Sequence, residues 1–175
     1  GLNCETENKP TANPCGICSN CKAILQDRYE DVLEIDAASN TGVDDVREII
    51  SSLKYRPSKG RYKVFIIDEV HMLSNSAFNA LLKTIEEPPS FVKFIFCTTE
   101  MQKIPITIVS RCQKYNLNRA TLTALCNYLE EIAELEKLDI SKEAIAIIAR
   151  NSEGSIRDSL TILDQCILSF NNENI

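Results

Sequence analysis

The chain has 175 residues, 44% of them apolar and 25% charged, which suits one globular domain or a domain with a small appendage. Its formal charge of −6 argues against non-specific wrapping of nucleic acid, which needs a basic surface. No apolar run approaches the roughly 20 residues that cross a bilayer and no cleavable leader is visible, so a cytoplasmic protein with no membrane association is expected.

Residues 1–23 are polar, rich in Asn, Pro and Cys, with little apolar periodicity. Val32–Asp36 reads as a short strand. Thr41-Gly42-Val43-Asp44 opens a helix as a capping box, continued at helical spacing by Val46, Ile49, Ile50 and Leu53. Pro57 and Gly60 close it. The basic residues there, Lys54, Arg56, Lys59, Arg61 and Lys63, read as a solvated helix end and turn.

The next element is the most informative. In 63–69, KVFIIDE, the residues Val64, Phe65, Ile66 and Ile67 read as a strand buried on both faces. Asp68 and Glu69 stand at its C-terminal end, where open α/β sheets bind ligands. Such a pair suits nucleoside-triphosphate hydrolysis: the first acid holds Mg²⁺, and the second orients and polarises the attacking water. Two solvated acids at a strand-to-loop junction are the plain alternative, and the pair alone does not decide.

Ser74 or Asn75 caps a helix with an apolar face of Ala77, Phe78, Leu81, Leu82 and Ile85, stopped by Pro88-Pro89. Residues 92–98 read as another buried strand and 114–117 as a short one. Strands alternating with helices predict a parallel sheet covered by helices, an α/β fold. From Arg119 the pattern is helix only. One stripe is Leu122, Leu125, Leu129, Ile132 and Leu135; the second, Ala144, Ile145, Ile148 and Ala149, has Ser141 as its cap; the third is Ile156, Leu160, Leu163 and Ile167. The predicted division is residues 1–118 and 119–175, joined near 118–121.

Eight cysteines divide into two groups. Cys97, Cys112, Cys126 and Cys166 are scattered through apolar segments and read as buried thiols. Cys4, Cys15, Cys18 and Cys21 cluster within residues 4–21 and can bring four thiolates to one point, which favours a closed structural zinc site. A redox dithiol would want one Cys-x-x-Cys at a helix start. An iron–sulfur cluster is the better rival, although the ferredoxin run continues to a fourth Cys before Pro, and Leu25 stands at that place.

Residues 33–47, LEIDAASNTGVDDVR, resemble a signature of the gamma/tau subunits of bacterial DNA polymerase III, the AAA+ ATPases of the sliding-clamp loader. The resemblance continues through IDEVHMLSNSAFNALLKTIEEPP, FIFCTTE, IVSRCQKYNL and EGSIRDSLTILDQ, essentially the whole chain in order. It implies a partial AAA+ parallel-sheet domain of the P-loop type with an inserted zinc module, followed by a small three-helix lid domain. It assigns Asp68 and Glu69 to the Walker B pair and Thr98 to sensor 1, a polar side chain near the γ-phosphate or the water. It makes Arg111 of Ser110-Arg111-Cys112 a finger inserted into the neighbouring subunit's ATP site, offsetting charge on the transferring phosphoryl group. Arg157 becomes sensor 2, reaching from the lid to the same subunit's nucleotide.

The resemblance further implies ATP and Mg²⁺ as cofactors of the intact subunit beside structural Zn²⁺. Its implied partners are other loader subunits (gamma/tau copies, delta and delta-prime), the sliding clamp and primer-template DNA. Ser39, Asn40, Thr41 and Arg47 are expected to touch the template backbone, with plain helix capping explaining Thr41 equally well. His71 is expected to pack structurally below the Walker B strand rather than act as ligand or base. Polymerase chemistry is not expected in this chain, although the parent works within a nucleotidyltransferase holoenzyme.

The family's Gly-x-x-x-x-Gly-Lys-Ser/Thr loop would precede Leu2 and is not in the sequence, so a portion of a longer subunit is expected, binding ATP poorly or not at all alone. Two other identities are open. One is a catalytically inactive stator of the same loader, delta-prime-like, disfavoured by the intact Asp68–Glu69 and Arg157. The other is a DExH helicase, disfavoured because Cys97-Thr98-Thr99 replaces the Ser-Ala-Thr coupling motif.

Overall fold

The structure, a computed structural model, describes residues 1–39 and 42–172. Asn40 and Thr41 lie outside the described residues, and with them the predicted Thr41 cap and two of the four expected DNA contacts. The chain forms two compact units, residues 1–114 and 115–175.

The first unit holds three parallel strands, β1 (Val32–Asp36), β2 (Lys63–Asp68) and β3 (Val92–Phe96), in the order β1-β2-β3. Asp36 lies in register with Asp68, so both strands end in a carboxylate at the same edge. Helix α1 (Ser19–Leu25) lies in the cysteine segment, α2 (Val43–Ser52) joins β1 to β2, and α3 (Asn75–Glu86) joins β2 to β3. Ser74 caps α3 by accepting from the Ala77 N–H. Phe65, Ile67, Val46, Ala77, Phe78 and Leu81 form one core, each shielded because the period of its element turns it inward.

Two expectations are corrected. β3 is two residues shorter than predicted and only half-buried, with Lys93 and Ile95 exposed, because it forms one edge of the three-stranded sheet. Residues 114–117 are not a strand: they join no ladder with β1–β3, and Tyr115 and Leu117 are 80% and 94% exposed. A short helix α4 (Ile106–Val109), too brief to show a period, precedes Arg111.

The second unit is three helices, α5 (Leu122–Leu135), α6 (Lys142–Asn151) and α7 (Ile156–Asn172). Thr121 and Ser141 cap the first two through the Ala124 and Ala144 N–H groups. Ser155 accepts from the Asp158 N–H at the start of α7. Leu125, Leu129, Ile145, Ile148, Ala149 and Leu163 are its buried centre. No helix among the described residues is long and apolar enough to cross a membrane.

Candidate functional site

At the C-terminal edge of β2 the backbone turns abruptly. Glu69 adopts a left-handed conformation, φ 44° and ψ 44°, which a non-glycine residue holds only where its surroundings impose it. The Glu69 N–H donates to Asp68 Oδ1 at 2.9 Å, and the Val70 N–H donates to the Cys97 carbonyl at 2.9 Å. The turn continues as a 3-10 segment, Val70–Met72, and swings His71 toward the tip of β3. Asp68 itself is exposed.

Thr98, two residues past β3, meets this turn. His71 Nδ1 lies 3.0 Å from Thr98 Oγ1 and 3.2 Å from Glu69 Oε2. Glu69 Oε2 also accepts from the Thr99 hydroxyl at 3.1 Å. His71 Nε2 lies 3.4 Å from Glu100 Oε1, which Lys103 Nζ approaches to 2.6 Å. The Lys103 ammonium, through its hydrogen bond, holds the Glu100 carboxyl below its ordinary range. Glu69 and Thr98 therefore meet through His71 at the edge where Asp68 ends β2. His71 is packed, its side chain 6% exposed, and its neighbours there are the polar groups of Glu69, Thr98 and Glu100. Thr99 and Glu100 were missed, although both follow Thr98 directly in sequence.

Arg111 is not part of this cluster. Its guanidinium pairs with Glu86 Oε1 at 2.6 Å and donates to the Thr107 carbonyl at 2.6 Å. In the second unit, Arg157 is exposed in the first turn of α7, after a tight turn in which Gly154 has φ +82°. A Cβ on Gly154 would fall 2.7 Å from the Ala120 carbonyl oxygen, so this turn requires glycine. Of the expected DNA contacts, Ser39 donates to Asp36 Oδ2 and Arg47 pairs with Asp44 within its own helix; both side chains are exposed.

The four clustered cysteines do converge: Cys4, Cys15, Cys18 and Cys21 hold their sulfurs within 4.8 Å of one another. A tetrahedral zinc with Zn–S near about 2.3 Å needs sulfurs about 3.8 Å apart, so the set fits that ion with small adjustments. Backbone N–H groups of Cys15, Cys18 and Cys21 point at the sulfurs of Cys4, Cys15 and Cys18 respectively, at 3.5, 3.3 and 3.4 Å. Such donors stabilise thiolates. The Cys15 N–H, with Thr6, lowers the Cys4 thiol to about 6. The Glu5 and Cys21 N–H groups lower Cys18, whereas Cys21, facing the Cys18 sulfur, is pushed up to about 11. The scattered cysteines Cys97, Cys112, Cys126 and Cys166 are half-buried rather than fully buried.

This segment is clasped by residues absent from the predicted site. Arg61 Nε donates to the Leu2 carbonyl at 3.2 Å, and its terminal nitrogens reach the carbonyls of Cys4 at 2.6 Å and Glu7 at 2.5 Å. Asn3 bonds Tyr62 in both directions, Nδ2 to the carbonyl at 2.8 Å and Oδ1 from the N–H at 2.9 Å. Arg61 is thus a structural clasp, not the solvated charge that the basic stretch suggested.

A family profile for the DNA polymerase III delta subunit matches residues 1–121, and one for the ATPase lid domain of DNA polymerase III clamp-loader subunits matches 124–172. The chain belongs to the DNA polymerase III clamp-loader family. The tau subunit of DNA polymerase III from Escherichia coli is 50% identical over 97% of this chain, which spans only 26% of that protein. A gamma-subunit-related protein of Thermotoga maritima is 30% identical, with a TM-score of 0.50 over 70% of this chain and 42% of its own. The RuvB Holliday junction branch migration motor of the same organism shares the fold, with a TM-score of 0.63 at 21% identity over 81% of this chain and 46% of its own.

Proposed function

We propose that this clamp-loader chain is part of an ATP-hydrolysing subunit that couples ATP binding and hydrolysis to loading of the sliding clamp on primed DNA during chromosome replication. The observation that carries the reading is that Asp68 ends β2 next to Glu69, and that Glu69 and Thr98 flank one imidazole at the C-terminal edge of adjacent parallel strands, where such sheets receive ligands. On this reading residues 1–118 contribute to a nucleotide-binding domain and 119–175 form its lid. The exposed Asp68 carboxylate would hold Mg²⁺, whose charge offsets that of the phosphates. Glu69 orients the attacking water and takes its proton, Thr98 hydrogen-bonds at the γ-phosphate side, and Arg157 binds the same nucleotide. Arg111 serves the neighbouring subunit's site. Cys4, Cys15, Cys18 and Cys21 would hold a structural Zn²⁺, each offering one thiolate. Gamma/tau copies, delta, delta-prime, the clamp and primer-template DNA are the partners, in the cytoplasm. The chain is a hydrolase part of a nucleotidyltransferase assembly.

A second reading, a non-hydrolysing stator of the delta-prime kind, draws on the delta-subunit profile over residues 1–121. The paired acids favour the first. The deciding experiment is Glu69→Gln in the full-length subunit, assembled with its partner subunits. ATP binding should persist while hydrolysis falls by about 10²-fold or more. Hydrolysis by the assembly that this variant leaves unchanged would favour the stator reading, in which the partner subunits carry the activity.

A further inference from the structure

We propose that His71 is a positioning residue for this hydrolysis, joining Thr98 and Glu69 through one imidazole. The inference rests on the reading that Glu69 directs the attacking water. Glu69 itself has a left-handed backbone, φ 44° and ψ 44°, at the turn out of β2. Its carboxylate meets the Thr99 hydroxyl at 3.1 Å and His71 Nδ1 at 3.2 Å, both on Oε2. The same Nδ1 stands 3.0 Å from Thr98 Oγ1, which also accepts from the Glu100 N–H at 3.0 Å. A displacement of either Thr98 or Glu69 therefore moves the other's hydrogen-bond partner.

The far edge of the ring faces a carboxylate as well. Nε2 faces Glu100 Oε1, and Glu100 is itself fixed by Lys103. The backbone beneath is braced by the Met72 N–H to the Glu69 carbonyl at 2.8 Å and by Val70 to Cys97. The side chain is 6% exposed, and turning the ring would carry Nδ1 away from both Thr98 Oγ1 and Glu69 Oε2. Packing alone would be served by Leu, which fills the volume but makes none of these contacts.

The two ring nitrogens can be separated by substitution. An Asn side chain places its amide where Nδ1 lies, and a Gln side chain reaches the place of Nε2. The measurement is kcat and KM for ATP, with melting temperature, for the full-length subunit in its assembled loader carrying His71→Asn or His71→Gln. If His71 positions Glu69 and Thr98, the Gln variant loses about 10²-fold in kcat with KM unchanged, and the Asn variant retains most of the wild-type kcat. Equal losses in the two variants, no loss in either, a loss carried by KM, or a loss matched by a fall in melting temperature overturns the proposal. Glu69→Gln runs beside them: wild-type hydrolysis there overturns the nucleotide reading itself, whatever the His71 variants do.

Discussion

Arg111 and Glu86 form a 2.6 Å ion pair that ties the turn after α4 to the last residue of α3. Their side chains are 38% and 46% exposed, so the pair contributes at most about 1 kcal/mol to stability. Its consequence is direction, because the Thr107 carbonyl fixes the same guanidinium from a second side. If Arg111 reaches into a neighbouring ATP site, Glu86→Ala should leave the melting temperature nearly unchanged. Hydrolysis by the assembled loader should fall toward the about 10²-fold loss that misplacement causes. Arg111→Ala should cost more, about 10³-fold, and the double variant should be no worse than Arg111→Ala. Additive losses would show that Glu86 acts elsewhere.

Asp31 is 2% exposed and receives three backbone N–H groups: Ser58 on Oδ1 at 2.7 Å, and Lys59 and Gly60 on Oδ2 at 2.8 and 2.7 Å. Burial raises its pKa, but those donors and the nearby Lys63 charge outweigh burial and leave it lowered. A carboxyl lowered on folding stabilises the fold fully above the unfolded value, about 3.9, and loses that contribution as pH falls through the folded value. Asp31→Asn, which turns an amide against at least one N–H, should cost about 1–3 kcal/mol at neutral pH. The difference from wild type should shrink below about pH 4. Denaturant titrations at neutral and acid pH test both; a cost that does not vary with pH would refute the charge argument.

The strands β1 and β2, helix α3 and the helices of the second unit were legible in sequence because period and cap agree within each element, as at Ser74, Thr121 and Ser141. The Asp68–Glu69 pair was legible for the same local reason. The clasp by Arg61 was not: its partners are backbone carbonyls more than fifty positions away, and carbonyls leave no signature in residue identity. The polar neighbours of His71 were not legible either, because its contacts depend on how β3 ends beside β2, and Thr98 is 27 positions distant. Residues 114–117 show the converse failure, an apolar alternation at Tyr115 and Leu117 that stays exposed.

Gly60 marks where the cysteine segment meets the sheet. A Cβ there would lie 2.7 Å from Asn3 Cγ and from the Tyr29 hydroxyl oxygen. Asn3 cannot retreat without giving up both of its bonds to Tyr62. Gly60→Ala should therefore destabilise by about 1–3 kcal/mol, the range for forced overpacking. Combining it with Asn3→Ala should cost less than the two separate effects together, because the part of the clash that falls on Asn3 disappears with its side chain while the contact with the Tyr29 hydroxyl stays. Strict additivity in chemical denaturation would count against this account.

The cysteine segment has little core of its own. Its buried side chains are Asn3, Cys4, Asn20 and Cys21, two amides and two of the four clustered thiols. If the sulfurs hold zinc, its order depends on that ion and on the Arg61 and Asn3 clasp, whereas β2 is anchored independently by Phe65 and Ile67 in the sheet core. Elemental analysis is expected to give one zinc per chain. Chelation should then release amide-exchange protection over the segment through Leu25 while β2 keeps its own, since the two regions draw stability from different sources. Arg61→Ala should produce a milder form of the same loss with zinc still bound. Iron in place of zinc would refute the structural zinc assignment. Loss of β2 protection together with the segment would mean that the metal supports the whole sheet rather than one clasped loop.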